Sequence, residues 1–130
     1  MPRDARDEEA ADWLARARQD LRAVEVDLDA DPPLSGDAAF HCQQAVEKAL
    51  KAVLARHGHV FRRTHDIGEL ALAVLEHEPL LEPLLRESVL LTDYAWRFRY
   101  PGEVFEPARA KVDEALDIAR RVVAAVAAAV

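Results

Sequence analysis

Several kinds of residue are scarce in this sequence, and each scarcity excludes a class of protein. Cys42 is the lone cysteine, so neither an intrachain disulfide nor a Cys₂His₂ zinc site can form, and a reducing compartment is expected. The four glycines are scattered, which leaves no glycine-rich loop to cradle phosphate. Isoleucine and threonine occur twice each and valine is the only common β-branched residue, a poor basis for strands. The longest apolar run, Val122–Val130, is too short to span a bilayer. Met1-Pro2-Arg3-Asp4 runs into charged residues without the apolar core of a signal peptide. A cytoplasmic location with no membrane partner is therefore expected. Positive charge is also short: 17 Lys and Arg stand against 24 Asp and Glu, for a net charge of −7. That excludes a generic electrostatic grip on nucleic acid, so any phosphate contact needs a local basic cluster. No nucleophile has a flanking base, and no pair of carboxylates has an evident task.

What remains is abundant alanine and an ordinary globular balance of 51% hydrophobic and 32% charged residues. A chain of 130 residues is a single domain, 1–130, able to bury roughly two thirds of its surface. Asp31-Pro32-Pro33, Gly58, Pro79 and Pro101-Gly102 cut it into helix-sized pieces. The first helix is predicted from about Glu8 to Asp29, with Trp13, Ala17, Leu21, Val24 and Leu28 as one stripe. The second is predicted from Asp37, as N-cap, to His57, with Gly58 as the stop. The third starts near Asp66 and ends before Pro79, the fourth spans Leu80 to Arg97, and the last begins near Pro107. The fold class is all-α, an antiparallel bundle of about five helices.

Three segments bear chemistry. On the second helix His41, Gln44, Lys48 and Lys51 share a face opposite the apolar stripe, with Glu47 beside them. That face is either a solvated surface with a Glu47–Lys51 pair or a polar face aimed at a ligand or a partner subunit. Arg62-Arg63-Thr64-His65-Asp66 is either a capped helix start or an anion site using free backbone N–H groups. Trp96-Arg97-Phe98-Arg99-Tyr100-Pro101 alternates aromatics with arginines, which suits base stacking and bidentate phosphate contact or, equally, a helix exit. His57, His59 and His65 match no standard ligand spacing, so no metal or other cofactor is expected. Cys42, on the apolar face, is expected in the core.

Taken together, four stretches resemble the HEPN domain family. They are Trp13-Leu14-Ala15-Arg16-Ala17 with Asp20-Leu21, the string His41 to Leu54, Thr64-His65-Asp66-Ile67, and Arg99-Tyr100-Pro101 before a final helix with Ala115 and Ala119. The resemblance implies a bundle of about five helices that pairs as a homodimer. It also implies a nucleotide or RNA ligand and a minimal nucleotidyltransferase partner in a toxin–antitoxin pair. Some members are metal-independent ribonucleases that place a histidine after an arginine with four to six residues between. This sequence departs from that pattern: none of its five histidines follows an arginine at that spacing, and none follows Arg99.

The leading expectation is a dimeric module binding a nucleotide or RNA phosphate through Lys48, Lys51, Arg63, His65, Arg97, Arg99 and Tyr100. The first alternative is an RNA-cleaving toxin with His41 or His65 as base and Arg99 as phosphate clamp. The second is a structural dimer whose cations pair with carboxylates. Dimerisation is also expected because Val122, Val126 and Val130 are left over on the last helix.

Overall fold

The structure, a computed structural model, describes residues 3–95 and 106–130. These residues form five α-helices, α1 (Arg3–Asp29), α2 (Ser35–Arg56), α3 (Ile67–Leu75), α4 (Glu82–Ser88) and α5 (Arg109–Ala129), with short 3₁₀ helices at Pro79–Leu81 and Val89–Ala95. No strand occurs among the described residues, and the molecule is an all-α bundle. No described helix is long and apolar enough to cross a membrane.

α2 is the axis of the bundle. It packs against α1, α3, α5 and the 3₁₀ segment Val89–Ala95. Its alanines at 38, 39, 45, 49 and 52 are fully buried, and such small side chains let neighbouring helices approach from several sides. A helix enclosed on most sides keeps little solvated face. Much of the expected polar face therefore lies inside: Gln44, Glu47 and Lys51 are 9%, 3% and 7% exposed, while His41 and Lys48 stay partly exposed. Cys42 is fully buried, and burial pushes its thiol up to about 12, which leaves it a small core side chain.

The ends of the helices follow local chemistry. α2 begins two residues before Asp37, with Leu34 at the N-cap and no side-chain cap; Asp37 instead sits in the first turn, where its charge suits the helix dipole. At the other end Gly58 has φ +64°, its N–H donates to the Ala55 carbonyl at 3.0 Å, and the His59 N–H donates to the Leu54 carbonyl at 2.9 Å. This is a Schellman closure, which turns the chain sharply out of α2. Asp66 caps α3, accepting from the Glu69 N–H at 3.3 Å.

The continuous helix expected from Leu80 to Arg97 is broken instead into 3₁₀, α and 3₁₀ pieces. At the α4 exit the buried Ser88 hydroxyl donates back to the Leu85 carbonyl at 2.8 Å, a competitor to continued α-helix. Arg97 lies outside the described residues. On α5, Val122 and Val126 are fully buried within the chain and Val130 is 38% exposed, so the first two are not a leftover surface for pairing.

Candidate functional site

The buried and half-buried polar residues of α2 sort into two groups, each built on one carboxylate. Glu47 holds the first. Its Oε1 accepts from Lys51 Nζ at 2.7 Å. Its Oε2 accepts from Gln43 Nε2 at 3.0 Å and Gln44 Nε2 at 2.9 Å, and faces His65 Nδ1 at 3.0 Å. The helix supplies Gln43 and Lys51 one turn either side of Glu47, which is why three of these groups meet without any loop. Burial by itself would push the Glu47 carboxyl up; the bonds from Lys51, His65 and Gln43 and the Lys51 charge outweigh it and hold the carboxyl below its usual range. Lys51 is also enclosed by rings, its ammonium 5.2 Å from the Trp13 centroid and 6.0 Å from that of Phe61.

His65 enters this group from the segment before α3. Its side chain is 54% exposed while its Nδ1 reaches the buried carboxylate. A carboxylate can only accept, so Nδ1 carries the proton and the lone pair of the neutral ring lies on Nε2. The Gln43 amide donates to the His65 carbonyl at 3.1 Å, which fixes the backbone as well as the ring. Nε2 has no hydrogen-bond partner among the described residues.

Asp20, from α1, holds the second group. Its Oδ2 accepts from Lys48 Nζ at 2.6 Å and its Oδ1 faces His41 Nδ1 at 2.8 Å. His41 Nε2 lies 3.3 Å from Asp37. Both ring nitrogens of His41 thus face carboxylates. Nearby, Asp27 is pushed up to about 6, by burial first and then by its hydrogen bond to Asp37 and that neighbour's charge, while His41 pulls it down.

The expected convergence of Lys48, Lys51, His65 and Arg99 is met in one part. Lys51 and His65 share Glu47, whereas Lys48 turns to Asp20 and joins His41. Arg97, Arg99 and Tyr100 lie outside the described residues. Arg63 is exposed and has no ion pair among the described residues, while its neighbour Arg62 is taken by Glu69 at 2.7 Å. Three of the backbone donors expected to receive an anion at the α3 start are already used. Asp66 N–H donates to Thr64, Ile67 N–H to Thr92 and Glu69 N–H to Asp66. Side chains must therefore supply most of the grip on any anion here. Sequence reading placed Glu47 only beside the polar stripe; its role as the hub depends on burial, which helical spacing alone does not reveal.

The comparisons with known proteins agree with this architecture. The family model for the HEPN domain matches residues 10–129. A protein of Methanocaldococcus jannaschii named "Putative toxin MJ1304" is 33% identical over 107 residues, covering 73% of this chain and 68% of that protein. The crystal structure of TT1696 from Thermus thermophilus superposes with a TM-score of 0.79 at 32% identity, over 94% of this chain and 98% of the other. The family match runs through all five helices and through both carboxylate-centred groups, and the chain belongs to the HEPN domain family.

Proposed function

We propose that this chain is a toxin-like HEPN module that binds the phosphate of a nucleotide or RNA. It acts as a cytoplasmic homodimer alongside a minimal nucleotidyltransferase in a toxin–antitoxin-type pair. The observation that carries this reading is His65, whose Nδ1 is anchored on buried Glu47 while half of its side chain stays exposed. With a phosphate at Nε2, the ring becomes an imidazolium with Glu47 behind it, a charge-assisted donor already aimed. Arg63, two residues away, adds an exposed cation without a competing carboxylate among the described residues. The toxin role is supported by the name of the Methanocaldococcus jannaschii relative. In this reading Lys48 and Lys51 serve the structure, because each is consumed by a carboxylate of its own. The phosphate ligands are Arg63 and His65 together with Arg97, Arg99 and Tyr100. Exposed Leu72, Leu80 and Leu90 supply apolar surface that pairing would remove from water.

A ribonuclease is the second reading, favoured by the same Glu47–His65 bond. A neutral imidazole fixed through Nδ1 can take the 2′-hydroxyl proton at Nε2, with Arg99 as the phosphate clamp.

Titration of nucleotides and short labelled RNAs against wild type, His65→Ala, Arg63→Ala and Arg99→Ala tests the reading. Saturable, salt-sensitive binding by wild type, weakened in all three variants, is the expected result. Equal binding by all four proteins would overturn it.

A further inference from the structure

Three histidines that the proposed phosphate site does not use meet where two helices end. His57 caps the C-terminus of α2, His59 follows the Schellman turn, and Glu76 and His77 follow α3. His59 Nδ1 lies 2.9 Å from His77 Nε2 and 3.7 Å from a Glu76 oxygen. One ligand atom from each of His59, Glu76 and His77 falls within 4.8 Å of the others. His57 stacks on His77 with centroids 4.2 Å apart and planes at 10°, which fixes the His77 ring.

We propose that His59, Glu76 and His77 form a binding site for a divalent transition metal of the zinc class. Two imidazoles and a carboxylate suit zinc, and three protein ligands leave one tetrahedral position for water or a further ligand. To hold zinc the two facing nitrogens give up their mutual hydrogen bond, the proton between them moves to another ring nitrogen or to solvent, and both lone pairs turn to the metal. Two imidazole nitrogens on one tetrahedral zinc stand about 3.3 Å apart, a few tenths of an ångström beyond the gap observed.

The backbone holds the ligands in place. His59 N–H donates to the Leu54 carbonyl, Glu76 N–H to Ala73 and His77 N–H to Val74, each within 3.2 Å. The site also lies at two helix C-termini, whose negative dipole ends favour a cation. Metal capture at this point would staple the exit of α2 to the exit of α3. The sequence spacing concealed the set, because two ligands follow α3 and one precedes it.

The test uses the full chain without a polyhistidine tag. Zinc(II) is titrated by calorimetry, and cobalt(II) is added separately as a spectroscopic probe. The expected result is uptake of one equivalent of zinc and the visible absorption of tetrahedral cobalt. His59→Gln and His77→Gln, with helicity checked by circular dichroism, should weaken zinc binding at least about tenfold, the least that losing even an outer-shell partner costs. If either variant misfolds, ring resonances of wild-type His59 and His77 decide: a selective shift on adding zinc supports the site, and no shift overturns it. No saturable uptake by wild type, or uptake unchanged in both variants, would equally overturn it.

Discussion

Glu47, 3% exposed, and His65, 54% exposed, are joined through a carboxylate oxygen and Nδ1 at 3.0 Å, so one bond links the floor of the bundle to its surface. The same carboxylate neutralises Lys51 at 2.7 Å. A single buried charge thereby does two things: it allows a lysine inside the fold and it orients a histidine outside it.

Glu47→Gln keeps the shape and the possibility of hydrogen bonds but leaves the Lys51 ammonium buried without a counter-charge. Removing one partner of a buried ion pair costs about 3–5 kcal/mol. Urea unfolding at neutral pH should show a loss of that order in the variant. A change below about 1 kcal/mol, the value of an exposed pair, would contradict the burial of this pair. Lys51→Met is expected to cost a similar amount, because it leaves the Glu47 carboxylate buried without its lysine counter-charge.

Much of this was legible in the sequence. Leu70, Val74 and the Asp66 cap specified α3, and Gly58 specified the end of α2, because capping and periodicity act over a few residues. Burial of the polar face of α2 was not legible. It arises because Trp13 of α1, Phe61 and His65 close over the polar side chains, and helical spacing cannot tell solvent from a neighbouring segment. The break after Ser88 was hidden for a related reason: a serine's back-bond competes with the helix only where the packing buries it.

The Asp27–Asp37 pair makes stability depend on pH with a definite sign. Burial and Asp37 raise the Asp27 carboxyl from the ordinary 3.8 to about 6. The folded chain then keeps a proton that the unfolded chain releases. The resulting stabilisation is complete below the ordinary carboxyl value and is lost as pH rises through about 6. Asp27→Asn should flatten stability across that window and raise it at neutral pH by on the order of 1 kcal/mol. Unfolding midpoints measured at several pH values check this; a variant as pH-dependent as wild type would count against the pair.

Incubation with RNA in the presence of a chelator separates binding from cleavage. The binding reading predicts intact RNA. Chelator-resistant cleavage that disappears in both His65→Ala and Arg99→Ala, with helicity retained, would move the protein to the enzyme reading. His41→Ala is expected to leave RNA handling unchanged, since both nitrogens of that ring face carboxylates.

Pairing of two chains is expected at tens of micromolar in sedimentation velocity. Leu72→Glu and Leu90→Glu place charge on two side chains that are each 73% exposed, so neither should disturb the core. A wild-type dimer weakened by either substitution is the predicted pattern, and a wild type that stays monomeric would contradict the homodimer.

The most direct measurement of the central claim is the set of histidine ring resonances followed by NMR as a short RNA, and separately a nucleotide, is added to metal-free protein. The account predicts that His65 shifts saturably with ligand, while His59 and His77, at the other cluster, hold their positions. Unmoved His65 resonances at ligand concentrations that saturate binding would show that the phosphate is held elsewhere and would contradict the proposed site.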